Sequence, residues 1–372
     1  MGVDSVAAVY ECRGFLGSYP YLSGDKAIME QVRREWERPV ISVIVPVYNV
    51  MPYIERCLES IAAQTWPYME VIIVDDSSTD GSGRICDLWG EQDKRLEIVH
   101  LPENRGLSAA RNEGVARAGG AFITFIDSDD YVEPDLLEKL YYSLHREEAD
   151  ISICGTDGIA GRNTPAVVYS REETIHCLAR RSPFLWTAWG KLFPTALVKA
   201  HPFEERAVCC EDLLFFYEIW KHVEKVSYIP DKLYHYVQRK DSLINRPIDS
   251  KRCIVLSVLD DICRDAAMNF PEMAYEFEQI AMDTGVRLAM EALEAGTAEG
   301  ELLPYLKRFQ ESVRRHFSMS VLRHCPSFKS MTAQLSLYLD ITVFRVLAIT
   351  FQGMKVLQAK WDQTKKGQGT GT

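Results

Sequence analysis

Three carboxylates follow a short apolar run in the middle of this chain. Residues 121–126 have the aromatic and β-branched composition of a buried strand, and Asp127, Asp129 and Asp130 come directly after it. In open α/β sheets, ligands bind beyond the carboxyl ends of the strands. Carboxylates at that position suit a hard divalent cation, Mn²⁺ or Mg²⁺, that is shared with substrate phosphates. Taken alone, the same residues also fit a solvated acidic turn.

Two earlier predicted strands, near 41–47 and 71–74, also end in polar side chains. The residues at these ends are Pro46, Tyr48, Asn49, Asp75 and Asp76. Because the carboxyl ends of neighbouring parallel strands lie at one edge of a sheet, we expect these residues on the same rim as Asp127. Each has an alternative interpretation. The two aspartates also fit the approach to a helix N-cap, and Tyr48 also fits a core position.

A nucleotide accounts for this combination of side chains. Tyr48 can stack on a base, and an aspartate can accept a hydrogen bond from the ring N–H of that base. Arg111, in the segment 104–112, can offset phosphate charge, while Asp127 and Asp129 hold a metal ion that bridges two phosphates. A solvated helix position is the alternative for Arg111. The rim as a whole therefore predicts a nucleotide-diphosphate site.

Strands and helices must alternate to position these residues. Apolar runs predict strands at 40–47, 71–74, 96–100 and 121–126, and helical spacing predicts helices at 51–63, 81–90, 106–118 and 134–147. This alternation predicts an α/β fold with a central, mostly parallel sheet flanked by helices. Residues 151–154 are a further strand candidate. After about residue 250 the chain is predicted to be mainly α-helical, with long segments near 250–295 and 301–317.

Composition and charge exclude several classes of protein. The 372 residues carry a net charge of −11, which argues against a nucleic-acid binder, because such a protein would present a basic surface. The ten cysteines form no C-x-x-C pair, which indicates reduced thiols in a cytoplasmic protein. Neither a signal peptide nor a run of about 18 apolar residues is apparent. The missing G-x-x-x-x-G-K-[ST] and G-x-G-x-x-G patterns disfavour a P-loop NTPase and a dinucleotide dehydrogenase.

The rim segments described above, taken in their order along the chain, resemble those of the family 2 glycosyltransferases. The nucleotide-sugar-binding fold of that family is called GT-A. Residues 41–49 resemble the opening strand of the family, 74–81 its uracil-contacting segment and 127–129 its DXD metal motif. Residues 189–193 resemble a segment on the acceptor side of the pocket, and 210–215 resemble the "ED" segment. Residues 234–236, with Arg239 and Ser242, resemble a more variable element near the pyrophosphate. The resemblance covers residues 40 to about 245.

The resemblance implies a role for each matching residue. Those on the nucleotide side would be Pro46, Tyr48, Asn49, Asp75, Asp76, Arg111 and Asp127, and those on the metal would be Asp127 and Asp129. Asp212 would be the general base, with Glu211 beside it. Trp189, Lys191, His235, Arg239 and Ser242 would lie on the acceptor and pyrophosphate side. From the residues alone, Asp212 also fits a carboxylate that simply begins a helix.

The rim residues and this resemblance together predict a metal-dependent glycosyltransferase, and the resemblance implies that it inverts the configuration of the transferred sugar. The transferred group would be hexosyl or N-acetylhexosaminyl, and the donor would be a nucleotide-diphosphate sugar, with UDP as the expected nucleotide. The acceptor would be a saccharide or lipid-linked saccharide in cell-surface polysaccharide synthesis. One alternative is a sugar-nucleotide pyrophosphorylase, but such enzymes usually carry a Gly-rich loop where this chain has residues 46–52. The other is a non-catalytic nucleotide-sugar-binding protein. The predicted organisation is an N-terminal extension (1–38), a GT-A domain (39–248) and a helical C-terminal region (249–372).

The segment 335–361 has two interpretations. Its apolar residues recur at helical spacing and are interrupted by Asp340, Arg345, Lys355 and Lys360. It can be a helix packed on the body of the protein. Alternatively, it is an amphipathic helix on the inner face of the membrane, where a cytoplasmic enzyme would meet a lipid-linked acceptor. The sequence leaves this choice, and the oligomeric state, open.

Overall fold

The computed structural model describes residues 39–156, 165–180, 183, 185–207, 210–238, 252–294, 299–318, 321 and 328–348. The predicted extension 1–38 and two predicted site residues, Arg239 and Ser242, lie outside these residues. The structural statements that follow refer to the described part of the chain.

Strands and helices alternate as predicted through the first half of the chain. The strands are β1 (Ile41–Val47), β2 (Met69–Asp75), β3 (Leu96–His100), β4 (Phe122–Phe125), β5 (Tyr131–Val132), β6 (Ile151–Gly155), β7 (Val167–Ser170), β8 (Lys191–Pro194), β9 (Lys225–Lys232) and β10 (Tyr234–His235). The helices are α1 (Met51–Ala62), α2 (Ser82–Gln92), α3 (Leu107–Arg117), α4 (Leu136–Arg146), α5 (Arg171–Ala179), α6 (Thr195–Ala200), α7 (Glu211–Trp220), α8 (Ile254–Asn269), α9 (Ala274–Glu294), α10 (Glu299–His316) and α11 (Phe328–Leu339).

Eight of these strands form one sheet in the order β3-β2-β1-β4-β8-β6-β9-β7. The first four strands in this order are parallel, which confirms the predicted α/β architecture with a central sheet. β8 runs antiparallel between β4 and β6, and β7 runs antiparallel beside β9. β5 and β10 pair separately as a small antiparallel ribbon. The sheet is therefore mixed on the side that carries β8.

Both faces of the sheet are covered, which explains why β1 is apolar along its length. All seven residues of β1 are buried. Val43 and Val45 pack on one face with α1 and α4, while Ile44 packs on the other face with α3 and α7. Strands buried on both faces have continuous rather than alternating apolar sequences. This packing fixes the carboxyl ends of β1, β2 and β4 side by side.

The C-terminal region is mainly helical, as the sequence predicts, and its helices pack into a bundle. Helix α9 packs on α8, α10 and α11 around a cluster that includes Phe309, Leu337 and Phe344. Helix α8 also places Leu259 and Ile262 in the apolar cluster under the sheet. Among the described helices, none has both the length and the apolar content required to cross a bilayer.

Candidate functional site

The carboxyl ends of β1, β2 and β4 bring the predicted nucleotide residues to one rim. In the register of β1 with β2, Pro46 pairs with Val74 and Val47 with Asp75. Tyr48 follows β1 with 48% of its surface exposed, so it is not a core residue. Asn49, at a positive φ of 50°, accepts a hydrogen bond from the Thr79 amide over 2.8 Å. Asn49 therefore ties the loop after β1 to the loop after β2.

Asp76 is almost completely buried and anchors the loop that leads into α3. Its Oδ1 accepts the Arg105 amide at 2.7 Å, and its Oδ2 accepts the Gly106 amide at 2.8 Å and the Asn104 side-chain amide at 2.9 Å. A carboxylate has about four acceptor positions. Asp76 can therefore accept about one further hydrogen bond, which is the number that the ring N–H of a base requires.

The neighbouring carboxylate, Asp75, is engaged with a histidine. Its Oδ2 lies 2.9 Å from Nδ1 of His100, and Nε2 of His100 lies 2.9 Å from Asp87. Hydrogen bonds to Asp87 and Asp75 raise the pKa of His100. A Cβ on Gly83 would lie 2.6 Å from Asp75 Oδ2, so a larger residue at that position would displace this carboxylate. Asp75 thus links the end of β2 to His100 at the end of β3 and stabilises the rim.

Asp130 holds the loop that carries the predicted metal ligands. Its Oδ2 accepts the hydroxyl of Tyr234 at 2.8 Å, and its Oδ1 accepts the Val237 amide at 2.8 Å. The Tyr234 hydroxyl in turn accepts the Asp127 amide at 3.0 Å. Burial and the charge of Asp127 raise the pKa of Asp130 to about 8. Asp130 is therefore a buried anchor of the loop, and the interpretation as a solvated acidic turn does not hold for it.

Arg111 joins the two ends of the site. Its Nη2 donates to Asp127 Oδ1 at 2.9 Å, and its Nη1 donates to Asp212 Oδ1 at the start of α7. The side chain is buried, so the solvated-helix interpretation is wrong. Burial acts to lower the pKa of Arg111, but the charges of Asp212 and Asp127 outweigh it and raise this pKa. The predicted base and a predicted metal ligand therefore share one guanidinium.

Two acids around this guanidinium, Asp127 and Glu211, have raised pKa values. Burial raises the pKa of Asp127 to about 6, although the charge of Arg111 acts against the shift. Burial and the charge of Asp212 raise the pKa of Glu211 to about 7. Perturbed acids of this kind concentrate at functional sites.

The donor set of Asp127 and Asp129 fits a divalent cation that also binds phosphate. Both residues are partly exposed on the rim. Among the described residues, no group of three or more His, Cys, Asp or Glu side chains forms a complete metal site. Mg²⁺ characteristically takes one or two carboxylates and completes its coordination with water and substrate phosphates. Two carboxylates beside a nucleotide rim match that requirement.

The predicted acceptor side is built from stacked rings and a buried lysine. Trp189 stacks on Tyr234 with centroids 4.5 Å apart and lies 5.8 Å from Tyr236. The Lys191 ammonium donates to Thr187 O at 2.6 Å and to Leu185 O at 3.1 Å. Burial lowers the pKa of Lys191 to about 7. Lys191 thus holds the loop 185–189 from inside and shapes the acceptor side indirectly.

His235 lies at the edge of this region, close to the loop that carries the predicted metal ligands. Its ring stacks on Tyr131 at 4.3 Å, and its Nε2 lies 2.8 Å from Glu133. The Arg56 guanidinium lies 4.3 Å from the centroid of the Tyr131 ring. Neither Arg56 nor Tyr131 belongs to a recognisable sequence motif, so no local pattern predicts a role for them.

The fold and the rim together define a GT-A protein, the nucleotide-sugar-binding class of α/β folds. A structure of Staphylococcus aureus TarS, residues 1–349 in complex with UDP-GlcNAc, superposes with a TM-score of 0.66 at 22% identity. The match covers 84% of this chain and 91% of that one. The curated name of TarS is poly(ribitol-phosphate) beta-N-acetylglucosaminyltransferase.

Sequence comparison identifies the family. The model described as Glycosyl transferase family 2 matches residues 42–206. Glycosyltransferase GlyG of Streptococcus pneumoniae is 32% identical over 226 residues, which is 56% of this chain and 74% of GlyG. This chain belongs to glycosyltransferase family 2, as its motifs predict. Glycosyltransferase GlyA of the same organism is 38% identical over 218 residues, but the match spans only 31% of GlyA.

Proposed function

We propose that this protein is an inverting glycosyltransferase that uses a UDP-sugar and a divalent cation. The observation that carries the proposal is the meeting of Asp127, Arg111 and Asp212 at the rim where Tyr48 and Asp76 lie. One side of this cluster suits a nucleotide diphosphate, and the other provides a carboxylate base. The UDP-GlcNAc complex of TarS supports a UDP-linked donor.

On the donor side, Tyr48 would stack on the base and Asp76 would accept its ring N–H. Asp127 and Asp129 would hold Mn²⁺ or Mg²⁺, which when bound stabilises the negative charge that develops on the leaving diphosphate. Pro46 and Asn49 would shape the pocket around the base. The ion-pairing of Asp127 with Arg111 keeps this carboxylate oriented before the nucleotide arrives.

On the acceptor side, Asp212 would act as the general base. It would take the proton of an acceptor hydroxyl as that oxygen bonds to the anomeric carbon, while the bond from this carbon to the diphosphate oxygen breaks. Attack from the face opposite the diphosphate inverts the configuration. Glu211, whose raised pKa keeps part of its population protonated near neutrality, would lie beside the base without competing for the cation.

The acceptor is proposed to be a saccharide of a cell-surface polymer, free or lipid-linked. The stacked rings of Trp189 and Tyr236 suit the apolar face of a sugar ring. The name of TarS, which describes transfer to a wall polymer, supports this class of acceptor. The loops of the acceptor side would set the specific sugar and linkage.

A membrane contact through the C-terminal region is part of this proposal. Leu339, Val343 and Val346 are 64%, 48% and 59% exposed, whereas Leu337 and Phe344 of the same region are buried in the helical bundle. An exposed apolar stripe suits a lipid surface, and Lys355 and Lys360, which follow in the sequence outside the described residues, would favour an anionic surface at the inner face of the membrane. Co-sedimentation of the full chain with phosphatidylglycerol vesicles, but not with phosphatidylcholine vesicles, is expected. Equal recovery in both supernatants would contradict the contact.

Release of UDP tests the enzymatic proposal. Purified full-length protein is incubated with Mn²⁺ and a panel of UDP-sugars, with and without saccharide acceptors, and free UDP is measured. Acceptor-stimulated release from at least one UDP-sugar is expected. Pyrophosphate formed from a nucleoside triphosphate and a sugar phosphate would instead indicate a pyrophosphorylase. Tight UDP binding without turnover across the panel would indicate a non-catalytic binding protein.

A further inference from the structure

Arg111 lies at the centre of the site and yet is closed to solvent. Its side chain is 1% exposed, whereas those of Asp127 and Asp212 are 23% and 21% exposed. A ligand that enters the rim therefore meets the two carboxylates before it meets the guanidinium. This arrangement distinguishes Arg111 from an arginine that binds phosphate directly.

The surroundings of Arg111 leave it few partners other than these carboxylates. The rings of Phe203 and Phe125 lie with their centroids 5.2 Å and 6.0 Å from its Cζ, and Nε has no hydrogen-bond partner among the described residues. Burial of an unpaired charge is costly, so the two ion pairs are what make this position tenable for a cation. All of its described hydrogen bonds are directed to Asp127 and Asp212.

The geometry of the guanidinium sets how the two carboxylates lie. Its nitrogen atoms are fixed in one plane, unlike the single point charge of a lysine. Nη2 donates a hydrogen bond to Oδ1 of Asp127, and Nη1 donates one to Oδ1 of Asp212. Because these hydrogen bonds use Oδ1 of each carboxylate, the proposed function would use Oδ2 of Asp127 for the cation and Oδ2 of Asp212 for the acceptor.

We propose that Arg111 is a positioning residue that holds the cation-binding carboxylate and the base carboxylate at one fixed separation. The inference rests on the proposed function, in which Asp127 serves the diphosphate end of the donor and Asp212 the acceptor. A fixed separation places the attacking hydroxyl in line with the leaving group, which is the geometric requirement of the transfer step. Arg111 acts through these carboxylates and touches neither substrate.

The test replaces Arg111 by lysine, which keeps the charge but cannot serve both carboxylates with a planar fork. For the UDP-sugar that the wild type uses, and at saturating Mn²⁺, Arg111→Lys is expected to lower kcat for UDP release by about 10- to 100-fold and to change KM for that sugar by less than about threefold. Mn²⁺ affinity in the presence of UDP, measured by calorimetry on the full chain, is expected to fall by about tenfold. Arg117→Lys is the matched control, because Arg117 is on the same helix and pairs with Glu97 and Glu113 at the surface.

A double variant separates positioning from general structural support. If Arg111 acts through Asp212, Arg111→Lys lowers kcat much less in an Asp212→Asn background than in the wild type, whereas a structural role gives equal losses. A folded Arg111→Lys protein with wild-type kcat and Mn²⁺ affinity, or equal losses in both backgrounds, would overturn the inference. Should Arg111→Lys not fold, Asp212→Glu tests the same point, because full kcat with a displaced carboxylate would contradict a fixed separation. A wild type that uses no UDP-sugar refutes the proposed function instead.

Discussion

The hydroxyl of Tyr234 donates to Asp130 Oδ2 over 2.8 Å and accepts the amide of Asp127, 107 residues away in sequence, over 3.0 Å. Replacing this tyrosine by phenylalanine would leave a buried carboxylate and a backbone amide each short of one partner. We expect Tyr234→Phe to lower the free energy of unfolding by about 1–3 kcal/mol. Chemical denaturation measures the change. Tyr142→Phe, in which the ring is half exposed, serves as the control, and equal stability of the two variants would contradict the anchoring role.

Removal of a proposed metal ligand is expected to act through the cation. Asp129→Ala should weaken Mn²⁺ binding in the presence of UDP by at least about tenfold, since a cation with two protein carboxylates loses one of them. Calorimetric titration of Mn²⁺ measures this affinity. Asp135→Ala, which removes a partly exposed carboxylate paired with Lys139, is the matched control. Unchanged Mn²⁺ affinity in Asp129→Ala would remove Asp129 from the metal site.

Conversion of the proposed base to an amide is expected to spare nucleotide binding. Asp212→Asn should lower kcat for transfer by about 100- to 10,000-fold, because an amide cannot take the acceptor proton. The dissociation constant of UDP should stay within about threefold of the wild-type value, since general-base catalysis concerns the transfer step alone. Asp261→Asn changes an exposed carboxylate outside the site and controls for charge. Full transfer activity in Asp212→Asn would exclude Asp212 as the base.

The raised pKa of Glu211 predicts that the stability of the folded protein depends on pH. This pKa is about 7 in the folded protein, against about 4.3 for an unfolded chain. The folded state therefore binds the proton more tightly, and the contribution of Glu211 to stability falls as pH rises from about 4 through 7. Relative to the wild type, Glu211→Gln should gain stability over that range, by up to about 4 kcal/mol at pH 8, since each pKa unit corresponds to about 1.4 kcal/mol. Denaturation curves at pH 4, 6 and 8 measure the difference, with Glu218→Gln on the same helix as the control. A difference independent of pH would contradict this prediction.

The sheet and its rim could be predicted from the sequence because their signals are local. The apolar runs at 41–47 and 122–125 and the aspartates directly after them required only a few neighbouring residues to recognise. Antiparallel β8 lacked such a signal, since its four residues are identified as a strand only by pairing with β4 and β6. The antiparallel pairing in the half of the sheet that contains β8 therefore became apparent only from the structure.

The internal organisation of the site depends on contacts that no local pattern encodes. Arg111 and Asp212 are 101 residues apart, and nothing in the helical spacing of α3 separates a buried arginine from a solvated one. The role of Asp130 likewise requires Tyr234, which reaches the metal loop only because β5 pairs with β10. The sequence therefore predicted which residues belong to the site, whereas the ion-pair partner of each charged residue could be found only in the structure.

The placement of Arg111 between β4 and α7 limits how this protein can be divided or recombined. A fragment that ends before Asp212 would keep the nucleotide rim but would leave a buried guanidinium with one of its two counter-charges. Loss of one partner of a buried ion pair destabilises a protein by about 3–5 kcal/mol, a large share of the stability of a domain. Chimaeras that exchange acceptor specificity between relatives should therefore transfer α3, the loop after β4 and the start of α7 as one cassette.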